Sequence, residues 1–199
     1  MQIIHDFLTI NEYSRPGRRI REMLGLVMHW TANPAANAKQ NRDFFESKKT
    51  GMSGYGSAHY IIDQNGKIIA AVPEDEIAYH CGSDKADPAS CMIYTDEARR
   101  RFGKYASINS SPNNCTIGVE LCSKDAAGNF TTETINAAVE LCANICQRHG
   151  LSAQDITTHH DVVGWKNCPN DNRTLGRCIR RISMSDNNRD RRHVYKKRN

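Results

Sequence analysis

The chain has 199 residues, of which 39% are hydrophobic and 25% charged, with a formal net charge of +5. This length suits one domain of ordinary size with a real core, and no apolar run approaches the ~20 residues a membrane-spanning helix needs. Eight cysteines without a single CxxC pair argue against a structural four-cysteine zinc site.

In chain order, the first seven residues (Met1-Gln2-Ile3-Ile4-His5-Asp6-Phe7) lack a basic stretch followed by an apolar one, so no secretory signal is expected. Residues 1–22 are polar, contain the turn signal Ser14-Arg15-Pro16-Gly17, and read as an N-terminal arm over the domain surface. The run Gly25-Leu26-Val27-Met28-His29-Trp30-Thr31 fits a buried strand. Residues 35–49 read as a helix with Phe44 and Phe45 turned inward, followed by a glycine-rich loop. Two apolar runs flank Gln64-Asn65-Gly66, a strong hairpin signal. Residues 76–82 suggest a short strand ending in Tyr79-His80-Cys81-Gly82. A long irregular stretch to Asn114 holds one helix over residues 95–102.

Residues 115–122 are a second buried-looking strand. The period of two puts Ile117, Val119 and Leu121 on one face and Thr116, Gly118 and Glu120 on the other. A helix capped by the threonines at 131–132 runs to His149 and stops at Gly150, with Ile135, Val139, Cys142 and Cys146 as its apolar stripe. Residues 156–160 form a short strand that delivers the loop from Thr158 to Pro169. Residues 23–183 thus make up the domain, and residues 184–199 form a basic tail. Alternating strands and helices with a hairpin imply an α/β single domain with a central mixed β-sheet flanked by helices.

The chemistry concentrates in that loop. His160 and Cys168 are eight residues apart across Gly164, and imidazole with thiolate is a favoured zinc donor pair. If the strand continues, His159 points the opposite way. Three protein ligands leave a coordination position open, the pattern of a catalytic zinc rather than a structural one. His29 is the candidate third ligand. Lys166, two residues before Cys168, carries a charge suited to thiolate formation or to an oxyanion. Glu120 is the only charged residue in its strand, and a carboxylate there near an activated water suits a general base.

These stretches, namely Val27-Met28-His29-Trp30-Thr31, Ser57-Ala58-His59-Tyr60-Ile61-Ile62, Ile117-Gly118-Val119-Glu120-Leu121 and His160 through Lys166-Asn167-Cys168-Pro169, resemble in order and separation the zinc-dependent N-acetylmuramoyl-L-alanine amidases of the amidase-2 family. That family includes phage endolysins, autolysins and peptidoglycan-recognition proteins, and the resemblance covers roughly residues 20–170. It implies one catalytic zinc on His29, His160 and Cys168, with Glu120 and Lys166 catalytic and His80, Trp30 and Tyr60 in contact with substrate. It implies cleavage between N-acetylmuramic acid and L-alanine in bacterial peptidoglycan. The expected setting is synthesis in the cytoplasm and action on the wall after release or holin-type export, by a monomer, with muropeptide recycling as the cytoplasmic variant. A non-catalytic peptidoglycan-binding module is the rival reading, against which the resemblance sets the presence of Cys168. Nucleic acid is not an expected partner, since no basic stripe with interleaved aromatics appears.

Overall fold

The computed structural model describes residues 1–34, 36–86 and 91–170; the basic tail at 184–199 lies outside them. Six strands form one mixed sheet: β1 (Ile3–His5), β2 (Gly25–Trp30), β3 (Tyr60–Ile62), β4 (Ile68–Ala70), β5 (Thr116–Leu121) and β6 (Ile156–Thr158), in the spatial order β1-β4-β3-β5-β2-β6. Only β3 and β4 run antiparallel, and the turn at Asp63-Gln64-Asn65-Gly66 joins them. Gly66 takes φ +76° there, a conformation that costs other residues a steric penalty. The N-terminal arm does more than cover the surface, because β1 pairs with β4 and adds an edge strand.

Helix α3 (Thr132–His149) covers one face of the sheet. Thr131 caps it by accepting the Thr134 N–H at 3.0 Å, and Gly150 ends it in the left-handed region. Its buried stripe is Thr134, Ala138, Leu141, Cys142, Ile145 and Cys146, which includes the expected Cys142 and Cys146, while Val139 packs at its edge and Ile135 is only half-buried. That stripe packs on Leu26, Met28, Tyr60, Ile62, Ile117, Val119 and Leu121. The opposite face carries α1 (Ala38–Ser47), α2 (Asp96–Phe102) and α4 (His159–Val163). There Ile61 and Ile69 pack with Ala38 and Phe45, and Val27 packs with Phe102, Val162 and Val163. Phe44 is not inward: it is exposed at 52%, and the Lys48 ammonium lies over its ring.

Two further expectations are corrected. Residues 76–82 form no strand beyond a single bridge from Glu76 to Arg19. The stretch 156–160 does not stay extended, because the strand stops at Thr158 and α4 begins at His159. Thr158 Oγ1 accepts the Asp161 N–H at 3.0 Å while Asp161 Oδ2 accepts the Thr158 N–H at 3.1 Å. This reciprocal cap fixes the turn into the helix.

Candidate active site

Strands β5, β2 and β6 are parallel neighbours, and the polar side chains gather at their C-terminal ends, where open α/β sheets place their ligands. His29 and Glu120 are direct partners in the β2–β5 ladder, so both project from the α1/α2 face side by side. His159 follows immediately where β6 gives way to α4. Cys168 returns on the loop that follows. The result brings one ligand atom each from His29, His159 and Cys168 within 4.8 Å of one another, all three residues buried. His29 Nδ1 lies 3.8 Å from Cys168 Sγ, close to the ~3.5 Å separation of two donors on one tetrahedral zinc.

The donor set therefore differs from the expected one at a single position. His160 is not in the cluster. Its Nδ1 lies 3.0 Å from the Lys166 carbonyl, and its backbone N–H donates to the Cys168 carbonyl at 2.9 Å. The strand alternation that set His159 aside does not apply, because His159 is the first residue of a helix and points where helical geometry sends it. His160 instead clips together the two ends of the loop carrying Lys166 and Cys168.

Several observations show that the cluster fits a metal. The ring of His159 makes no hydrogen bond of ordinary geometry, its one polar contact being with the Gly82 backbone, and Oε2 of Glu120 is buried without a partner. Buried polar atoms are nearly always well paired, so such under-satisfied groups at one spot suit a ligand or ion. Burial, the neighbouring histidines and the Lys166 charge hold His29 well below the ordinary histidine range. Burial first and Lys166 second push His159 down to about 3. Both rings are thus neutral, the form that ligates metal. The Cys168 thiol is pushed up to about 12 by burial and by the Glu120 charge, against the Trp30 backbone and Lys166. A divalent cation held there would reverse that balance and favour the thiolate.

Glu120 sits half-buried at the floor of a cleft of about 940 Å³, which His159, Lys166, His80, Tyr79 and Tyr55 also line. Burial raises its carboxyl to about 7, with the Lys166 charge opposing. A carboxylate poised there suits proton transfer near neutrality. Lys166 is exposed at the cleft mouth, and its charge reaches Glu120, His29, His159 and Cys168.

The three residues expected to contact substrate are placed differently. His80 does line the cleft, but it is 7% exposed and bonds inward to His29. Trp30 alternates away from His29, and its indole N–H donates to the Asn167 carbonyl at 3.2 Å, so it braces the Cys168 loop from outside the cleft lining. Tyr60 lies on the α3 face, donating to Glu74 at 2.6 Å, with Arg148 and His149 on the same carboxylate. It pairs with Val119 rather than Glu120, and that register puts it on the far side of the sheet. Residue-by-residue reading set His159 aside and missed His59, fully buried between the Gly118 N–H and the Glu76 carbonyl. Its place two residues before Ile61 in the strand pattern was the available signal.

The sequence profile of the family described as Amidase_2, N-acetylmuramoyl-L-alanine amidase, matches residues 19–171. The chain belongs to the Amidase_2 family. It is 35% identical over 170 residues to a "Probable N-acetylmuramoyl-L-alanine amidase" of Bacillus licheniformis, covering 85% of this chain and 42% of that protein. It is 31% identical to the N-acetylmuramoyl-L-alanine amidase BlyA of Bacillus subtilis (strain 168), covering 83% and 41%. The chain thus spans less than half the length of these curated relatives. In fold it is similar to the catalytic domain of PlyG (TM-score 0.67, 19% identity, 92% of this chain and 94% of that one). It is likewise similar to the catalytic domain of XlyA (TM-score 0.64, 20% identity, 92% and 99%). Among the described residues, no helix is long and apolar enough to cross a membrane.

Proposed function

We propose that this Amidase_2 chain hydrolyses the amide between the lactyl group of N-acetylmuramic acid and the L-alanine of the stem peptide in bacterial peptidoglycan. In this reading His29, His159 and Cys168 hold one zinc ion. The observation that carries it is that the His29, His159 and Cys168 cluster opens through His159 onto the cleft that Glu120 and Lys166 also line. A bound zinc supplies Lewis acidity to the scissile carbonyl and to the attacking water.

The chain's own residues do the rest. Glu120 takes a proton from the water as its oxygen bonds to the carbonyl carbon. The Lys166 ammonium faces the negative charge that develops on the carbonyl oxygen. Glu120 then passes its proton to the alanine nitrogen as the carbon–nitrogen bond breaks, leaving a free amine and a lactyl carboxylic acid, which gives up the water's second proton to solvent. His160 and Trp30 hold the loop that carries Lys166 and Cys168 in register with the strands. The bacterial wall is the site of action, reached after release from the cell.

Mass spectrometry of purified peptidoglycan digests tests this reading. New free L-alanine amino termini are expected, with intact glycan strands. Cys168→Ser is expected to lose zinc and hydrolysis together. Glu120→Ala is expected to keep stoichiometric zinc and lose ~10²–10⁴-fold in turnover. Near-normal turnover in Glu120→Ala removes Glu120 as the proton carrier, and products cut elsewhere overturn the bond assignment.

A further inference from the structure

His80 is a histidine that the reaction above does not use, and its surroundings determine where its protons sit. Its Nε2 lies 3.3 Å from the Thr116 carbonyl and 3.3 Å from Thr116 Oγ1. The carbonyl is only an acceptor. The hydroxyl spends its own proton on the Pro112 carbonyl at 2.7 Å, so it too can only accept from His80. Nε2 therefore carries the hydrogen. In a neutral imidazole the other nitrogen, Nδ1, is then bare and can only accept.

That bare Nδ1 faces His29 Nε2 at 3.1 Å, so His29 must donate from Nε2. Its own Nδ1 is left with a free lone pair, directed at Cys168 Sγ 3.8 Å away. The order of protons along Thr116, His80 and His29 thus leads to a single outcome at the metal cluster. Both rings are buried, His29 at 1% and His80 at 7% exposure.

The fold holds His80 in this pose from three sides. Its backbone N–H donates to Asn113 Oδ1 at 3.0 Å. The His59 ring packs against it at 5.6 Å. Below it, β5 has glycine at 118, where a Cβ would stand 2.4 Å from the His80 ring. Glycine is needed there for the ring to lie on the strand.

We infer that His80 is a positioning residue that fixes the tautomer of His29, so that His29 meets the metal through Nδ1. The inference rests on the metal reading of the His29, His159 and Cys168 cluster, and its test separates the two. The first readout uses no metal and no substrate: nitrogen-15 shifts of the histidine rings in metal-free protein. His29 is expected as the Nε2–H tautomer in wild type. His80→Asn keeps an acceptor near the Nδ1 position and is expected to preserve that tautomer. His80→Gln keeps a group only near the Thr116 side and is expected to mix the tautomers.

The second readout is zinc affinity by competition with a chelating dye. Loss of a partner that orients a metal ligand is expected to weaken binding ~10–100-fold in His80→Gln, with His80→Asn closer to wild type. A His29 Nδ1–H tautomer in wild type overturns the inference, as does equal zinc affinity in all three proteins. If wild type binds no zinc while the His29 tautomer is as expected, the metal reading fails and the proton order along the relay stands.

Discussion

The two faces of the sheet are built from the same strands and behave as opposites. Behind β2 and β5, Leu26, Met28, Ile117, Val119 and Leu121 close against the apolar stripe of α3. In front, one residue along in each case, stand His29, Thr116, Gly118 and Glu120. That face carries neutralised histidines, a carboxyl raised toward neutrality and polar atoms without partners. A period of two thus divides each strand between stability and chemistry. The back face supplies the apolar burial that lets the front face keep groups that cost free energy.

The largest expected effect sharpens the front face itself. His159→Ala removes a donor and is expected to weaken zinc binding by more than ~100-fold, beyond the loss of an outer-sphere partner. His160→Ala only loosens the clip onto the Lys166 carbonyl, and a loss under ~10-fold is expected. Titration of both variants against a competing chelator decides the matter, and a larger loss in His160→Ala would reverse the donor assignment.

That pair also shows what the sequence made legible. His29, Glu120, Lys166 and Cys168 were readable because each is a reactive side chain in a run that otherwise explains itself. The hairpin, β2, β5 and α3 were readable from their period and caps. The choice between adjacent histidines was not, because it turns on whether the strand continues past Thr158. The signal for a helix start lies in Thr158 and Asp161, which cap each other, and strand alternation does not extend across it. Trp30 and Tyr60 lie outside the cleft lining for a related reason. Alternation from His29 and the register against β5 put them on the wrong face for the cleft, and register between distant strands cannot be read from either strand alone. The histidine relay through His80 likewise depends on Gly118 lying beneath it, a contact between segments 38 residues apart.

Breaking the back face is expected to leave the front face intact. Leu141 is fully buried in the cluster under α3. Leu141→Ala is expected to cost ~2–5 kcal/mol of stability, through lost burial and the cavity left behind. Zinc affinity per folded molecule should stay within about twofold of wild type. Chemical denaturation and chelator competition measure the two quantities on one sample. A parallel fall in zinc affinity would mean that the faces are coupled through the strands.

The smallest expected effect tests whether the front face costs stability when empty. The Glu120 carboxyl is raised to about 7 in the folded chain by burial, against ~4.3 when unfolded. Below the unfolded value both states are protonated and nothing is lost. As pH rises through 4.3 toward 7, the unfolded chain releases its proton while the folded one holds it, so stability falls. Above the folded value the loss is complete, about 2 kcal/mol once the partial exposure of the group is allowed for. Glu120→Gln removes that titration. In metal-free protein its melting temperature relative to wild type is expected to climb between pH 4.5 and pH 8, by ~4–8 °C for a domain of this size. Thermal melts in chelator across that range measure it, and added zinc is expected to shrink the difference because its charge favours the carboxylate. A difference that is flat with pH would show that the ionised carboxylate is as comfortable at the floor of the cleft as in water. The contrast between the faces would then rest on the histidines and the thiol alone.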